Sequence, residues 1–103
     1  MMTKTGTVAF TAPEVFTDKV YDHTVDVWSA GVVLYNMLSG SMPFFDESVP
    51  KLVSLITTNT PDFSENIFHD VSKSAISLIE KMLNKDPLKR PTISECLKSP
   101  WFD

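Results

Sequence analysis

The chain has 103 residues, enough for one small domain, and its 43% hydrophobic content is that of a globular protein rather than a disordered one. Its formal net charge of −4 and pI of about 5.0 argue against a nucleic-acid surface, because the basic residues are scattered and their one cluster is Lys85, Lys89 and Arg90. Cys96 is the sole cysteine, so no internal disulfide forms, which fits a reducing compartment.

Residues 1–13 carry no helical period and are rich in Thr, which predicts a loop. Pro13 suits the opening of a short helical turn through Phe16, and Asp22 to Thr24 is a polar break. Residues 25–38 predict a helix that is apolar on nearly every face, from Val25 and Trp28 through Val33 to Met37 and Leu38. Such a helix is buried on all sides. So small a chain has few residues left to surround it, which points to missing packing partners. The stretch from Val27 to Phe45 is uncharged, but Ser29, Asn36, Ser39, Ser41 and Pro43 interrupt it, and a dense apolar part of about a dozen residues is too short for a membrane span. Lys4 is followed by no apolar run, so no signal peptide is evident.

Gly40 suits the stop of this helix, and Met42 to Phe45 reads as an apolar loop. Ser48 is placed to cap a helix over Val49 to Thr57, with Pro50 in its first turn. Val49, Leu52, Val53 and Ile56 form its apolar stripe at i, i+3, i+4 and i+7. Asn59 to Asn66 predicts a loop. Ser72 caps a third helix, with Val71 and Ile76 as a hydrophobic staple and Ala75, Leu78, Ile79, Met82 and Leu83 as its buried face. Asn84 and Asp86-Pro87 end it. Thr92 and Glu95 spell a capping box for a short last helix, which Pro100 stops before Trp101-Phe102. The fold class expected is all-α, with no strand.

Chemistry-bearing patterns are sparse. The glycines are Gly6, Gly31 and Gly40, so no Gly-x-Gly-x-x-Gly loop is present. There is no His-Arg-Asp and no Asp-Phe-Gly. His23 and His69 have no metal-ligand spacing, and no metal site is expected. What the chain does contain is an ordered series: Gly6-Thr7-Val8-Ala9-Phe10-Thr11-Ala12-Pro13-Glu14, then Asp26-Val27-Trp28-Ser29-Ala30-Gly31, Leu34 to Gly40, Leu78 to Leu83, Asp86-Pro87-Leu88-Lys89-Arg90-Pro91-Thr92, and Ser99-Pro100-Trp101-Phe102.

In this order, over residues 3–102, these motifs resemble the C-terminal part of the large lobe of eukaryotic Ser/Thr protein kinases, in particular the calcium/calmodulin-dependent kinase group. The resemblance implies that residues 1–103 are a partial protein kinase domain, from the end of the activation segment to the last large-lobe helix. Gly6, Thr7 and Phe10 then belong to the substrate-docking loop. The family usually has Pro in place of Val8 and Tyr in place of Phe10. A threonine matching Thr7 favours Ser/Thr over Tyr specificity. Glu14 and Arg90 match the buried pair that ties the activation segment to the helical base, a structural latch whose breakage typically costs about 3–5 kcal/mol. Asp26 matches the aspartate that anchors the catalytic loop through its backbone N–H groups; taken alone it is a helix N-terminal acid that favours the dipole. Thr3 and Thr5 are candidate phosphosites, although the catalytic-loop arginine that would pair with such a phosphate is not in this chain.

The family's phosphoryl transfer needs a Gly-rich loop, a paired lysine, a catalytic aspartate and a metal-binding Asp-Phe-Gly. None of them stands in this sequence, so no catalytic residue is assigned. The isolated chain is expected to be inactive, with ATP and Mg required only by a full-length parent. Met1-Met2 inside the activation segment suits an internal start. Three readings stay open: a piece of a Ser/Thr kinase that supplies peptide docking and the helical base, a non-catalytic module that docks kinase substrates or regulators, and an unrelated small helical domain. A protein substrate or regulator is the expected partner, with no nucleic acid and no membrane, in the cytoplasm or the nucleus.

Overall fold

The computed structural model describes residues 8–17 and 24–99, and every described element is helical. Helix α1 spans Glu14–Thr17, α2 Thr24–Ser39, α3 Val49–Thr58, α4 Glu65–Phe68, α5 Lys73–Met82 and α6 Ile93–Leu97, with a 3₁₀ turn at Pro87–Lys89. The all-α expectation holds. Of the polar break expected over Asp22 to Thr24, Thr24 instead opens α2, while Asp22 and His23, like the stop at Pro100, lie outside the described residues.

Helix α2 organises the rest. Its Trp28, Val32 and Tyr35 are fully buried against Leu52 and Ile56 of α3, Phe68 of α4, and Ile79 and Leu83 at the end of α5. One side-step around the helix, Val27 packs with Leu78, Met82 and Cys96. Tyr35 is the aromatic hub: its ring meets Phe68 edge-on at 4.9 Å and Phe63 at 5.6 Å, and its hydroxyl donates to the Asp62 carbonyl. That hydroxyl pins the loop ahead of α4 to α2, and burial followed by the Asp62 charge raises its pKa.

At Gly31, α2 lies close against the C-terminal end of α5. A Cβ there would stand 2.9 Å from Met82 Cβ and 3.0 Å from Leu83 Cδ2, so the bare backbone sets the spacing of the two helices. Gly40 closes α2 in the left-handed region at φ 78°, its N–H donating to the Asn36 carbonyl at 2.8 Å.

The helix starts are mostly those the sequence implies. Ser72 accepts from Ala75 N, and Val71 and Ile76 both pack on the main core. The Thr92–Glu95 capping box is complete in both directions. Ser48 departs from expectation: it sits at the N-cap of α3, yet its side chain makes no capping bond, and Asp46 Oδ1 instead accepts from the Ser48 N–H at 2.8 Å. The loop expected over Asn59 to Asn66 gives way at Glu65 to α4. Ser64 opens that turn with its carbonyl, and burial of Phe68 at 3% exposure holds it, a single turn too short to show a period.

Helix α2 is not buried on all sides. Val33 is 44% and Met37 72% exposed, and Phe45 just beyond the helix is 54% exposed. The residues of this chain cover one flank of the helix and leave that apolar strip open. Among the described residues no helix is long and apolar enough to cross a membrane.

Gly31→Ala gains roughly 1 kcal/mol of helix propensity, yet overpacking against a rigid Cβ costs about 1–3 kcal/mol. Urea unfolding is expected to show net destabilisation, whereas Asn36→Ala, exposed on the same helix, raises the midpoint slightly.

Candidate functional site

Arg90 reaches its place because Asp86 caps the 3₁₀ turn, Asp86 Oδ1 accepting from Leu88 N at 3.0 Å, and the chain then leaves that turn in an extended conformation. The arginine projects inward to the first turn of α1, where Pro13 and Glu14 are buried. Arg90 Nη1 donates to Glu14 Oε2 and Nη2 to Glu14 Oε1, both at 2.6 Å, with the two side chains 0% and 1% exposed. Residues 76 positions apart in sequence are thus joined fork to fork.

The remaining guanidinium N–H groups are also used. Nε donates to the Asn84 carbonyl at 2.7 Å, Nη1 to that of Thr24 at 3.3 Å, and Nη2 to that of Lys85 at 3.4 Å. All five donors of the group find acceptors, on α1, the start of α2 and the segment after α5. The guanidinium carbon lies 5.1 Å from the centre of the Trp28 ring, which in turn stacks with Phe44 at 6.2 Å. The Trp28 Nε1–H is buried and has no hydrogen-bond partner among the described residues.

Lys85 flanks the pair. Its Nζ donates to the Ile56 carbonyl at 2.6 Å and lies 4.7 Å from the Phe44 ring centre and 5.6 Å from that of Trp28. Burial, and then the neighbouring Arg90 charge, bring its pKa down from 10.5 to about 8. The carbonyl and the ring faces favour the ammonium, and burial with Arg90 outweighs them.

Segment 8–12 is held to the same base. Ser29 Oγ donates to the Phe10 carbonyl at 2.9 Å, and Thr11 N–H closes a turn onto the Val8 carbonyl at 3.0 Å. Ala9 and Ala12 are 1% exposed and belong to the main core, while the Phe10 ring is half-buried beside it.

The structure therefore brings Phe10, Glu14 and Arg90 to one region. Asp26 does not join them: it is exposed in the first turn of α2 and makes no hydrogen bond or ion pair with a described residue. Thr3, Thr5, Gly6 and Thr7 lie outside the described residues. Sequence reasoning assigned no role to Ser29, Lys85 or the Thr24 and Asn84 carbonyls; for Ser29 the signal was its place in Asp-Val-Trp-Ser, and for the carbonyls there was none. Among the described residues no group of three or more His, Cys, Asp or Glu gathers, and the His69–Asp70 contact at 3.0 Å is exposed and contributes little. The Cys96 thiol is buried, which pushes its pKa up and leaves it a poor nucleophile.

Glu14→Ala strands a buried guanidinium and is expected to destabilise the chain by about 3–5 kcal/mol in urea unfolding. Because Arg90 also binds three carbonyls, the double variant Glu14→Met, Arg90→Met is expected to recover only part of that loss. Full recovery would mean that the carbonyl bonds contribute nothing.

Between pH 8 and 10.5 the unfolded chain holds a proton on Lys85 that the folded chain has released. Raising pH through that window therefore adds stability from this group, and below pH 8 the penalty for burying the ammonium is present in full. Subtracting the stability–pH curve of Lys85→Met from that of the parent chain is expected to leave a rise across this window; a flat difference would place the Lys85 pKa near its ordinary value.

The protein kinase domain family matches residues 1–102 of the chain. The calcium/calmodulin-dependent protein kinase type II of Schizosaccharomyces pombe is 39% identical over 100 residues, covering 97% of this chain and 20% of that protein. The human calcium/calmodulin-dependent protein kinase type 1B is 40% identical over 100 residues, covering 97% of this chain and 29% of that protein. A solved twitchin kinase region from C. elegans superposes with a TM-score of 0.89 at 34% identity, covering 96% of this chain and 18% of that one. The chain thus spans under a third of the length of these relatives, over the helical part of the fold they share. On its sequence and on its fold, it belongs to the protein kinase domain family.

Proposed function

We propose that this chain supplies the substrate-docking loop and the helical base of the large lobe of a Ser/Thr protein kinase, and that by itself it transfers no phosphate. The observation that carries the reading is the buried Glu14–Arg90 fork together with the Ser29–Phe10 bond. These contacts fix segment 8–12 against α2, the positioning that a loop receiving a peptide requires. In this reading Gly6, Thr7 and Phe10 face the protein substrate, Thr7 marks Ser/Thr specificity, and Thr3 and Thr5 stand upstream as phosphate acceptors. Asp26, exposed at the start of α2, is free to accept N–H bonds from a catalytic loop. The ATP and Mg that the chemistry needs are held by residues of a longer parent, whose partners are protein substrates or regulators in the cytoplasm or nucleus.

Titration calorimetry of the 103-residue chain with Mg-ATP is expected to give no saturable heat, and radiolabelled ATP is expected to transfer no phosphate to a Ser/Thr peptide mixture. The same peptides are expected to shift the amide resonances of Val8 to Thr11. Saturable Mg-ATP binding or phosphate transfer would overturn the inactive reading, and peptides that leave Val8 to Thr11 unmoved would overturn the docking one.

A further inference from the structure

The basic residues are scattered in the sequence, but the fold gathers them. A groove of about 800 Å³ opens between α5, the 3₁₀ turn and α6, on a face remote in sequence from segment 8–12. Lys73 and Lys81, eight residues apart on α5, line one wall, and Lys89 and Lys98 line the other. All four are exposed, and none forms an ion pair among the described residues. The groove's remaining cation, Arg90, is neutralised by Glu14, and its one acid, Glu95, is engaged by the Thr92 N–H in the capping box. With the Glu14–Arg90 pair left out, the four lysines and Glu95 give the lining +3 and the rest of the chain carries −7 by formal charge. Charge segregated this far in an acidic chain produces a local field that attracts anions.

The floor and rim are not polar throughout. Leu78 lies in the floor, and Leu88, 89% exposed, stands at the rim. A groove with an apolar centre and charged margins fits an extended segment with one apolar side chain between anionic ones. Lysines are point charges on flexible stems rather than bidentate forks, so they suit several dispersed carboxylates better than a single planar anion.

We infer that the groove between α5 and α6 is a docking surface for an acidic segment of a partner protein, with glutamates or aspartates on Lys73, Lys81, Lys89 and Lys98 and an apolar side chain against Leu78 and Leu88. This surface is separate from the peptide-receiving loop, so it adds a second protein contact that does not rest on the kinase reading.

Fluorescence anisotropy of the full chain with a short fluorescein-labelled peptide of glutamates around one central leucine tests it. At about 50 mM salt, where screening is modest, saturable binding is expected, while the glutamine counterpart of the peptide does not bind. Lys81→Glu is expected to weaken binding roughly tenfold, because it turns attraction into repulsion in a low-salt site. Lys51→Glu, the same charge change at an exposed residue of α3 outside the groove, is expected to leave binding within about twofold, because Lys51 makes no contact with a peptide held in the groove. Leu88→Ser is expected to weaken it severalfold. All these side chains are exposed, so the variants keep the fold, which helical circular dichroism checks. No binding, or equal loss in Lys51→Glu, would overturn the inference. So would heparin or phosphatidylserine vesicles binding as tightly as the peptide with no dependence on Leu88, because that pattern describes a general polyanion surface.

Discussion

Arg90 is the residue on which the arrangement depends. A guanidinium with 0% of its side chain exposed is stable only where every donor finds an acceptor and a counter-charge lies in contact. Here five N–H groups meet one carboxylate and three backbone carbonyls contributed by α1, the first residue of α2 and the segment after α5. Those acceptors leave little freedom, so the guanidinium fixes α1 and the start of α2 against the segment after α5, from which they are far apart in sequence. A buried ion pair is a poor general source of stability, and replacing both partners with apolar groups is often neutral. The consequence of this pair is positional: it sets where the segment around Phe10 lies.

The aromatic platform beneath the pair extends that constraint into the core. Trp28 presents one ring to Arg90, Lys85 and Phe44, and the same helix carries Ser29 to the Phe10 carbonyl and Tyr35 to the loop before α4. Helix α2 thus serves as a spine with three attachments, two from the adjacent Trp28 and Ser29 and one from Tyr35 further along the helix. Gly31 lets α5 approach the spine closely enough for Met82 and Leu83 to complete the packing. The open strip at Val33, Met37 and Phe45 shows that the spine has a further flank available for packing, in keeping with a chain that spans under a third of its relatives' length.

Much of this was legible in the sequence, for identifiable reasons. Helices α3 and α5 are long enough to show their apolar period and α2 shows an apolar run, while Ser72 marks the start of α5, Thr92 with Glu95 that of α6, and Gly40 the end of α2, all through local bonds. Local signals failed where the deciding contact was distant or brief. Helix α4 is a single turn stabilised by burying Phe68, and Ser48 stands at the N-cap without a side-chain capping bond, its own N–H held by Asp46 Oδ1. The site divides the same way. Motif order singled out Glu14 and Arg90. The carbonyls that complete the guanidinium shell, and the lysine brought over Trp28 and Phe44, follow from tertiary placement and have no sequence signature. The gathering of Lys73, Lys81, Lys89 and Lys98 around one groove is likewise a product of how α5 and α6 pack.

The central claim is that the Glu14–Arg90 fork makes segment 8–17 part of the same cooperative unit as the helical base. Amide hydrogen exchange at Thr11, Val15 and Phe16, whose N–H groups donate to Val8, Ala12 and Pro13, tests it most directly when compared with the amides of Ile79 and Leu83 in and just after α5. If the fork integrates the segment, the two sets open together, with protection of the same order. Rapid exchange at Thr11, Val15 and Phe16 while Ile79 and Leu83 stay protected would show a segment that opens on its own, and would contradict the account.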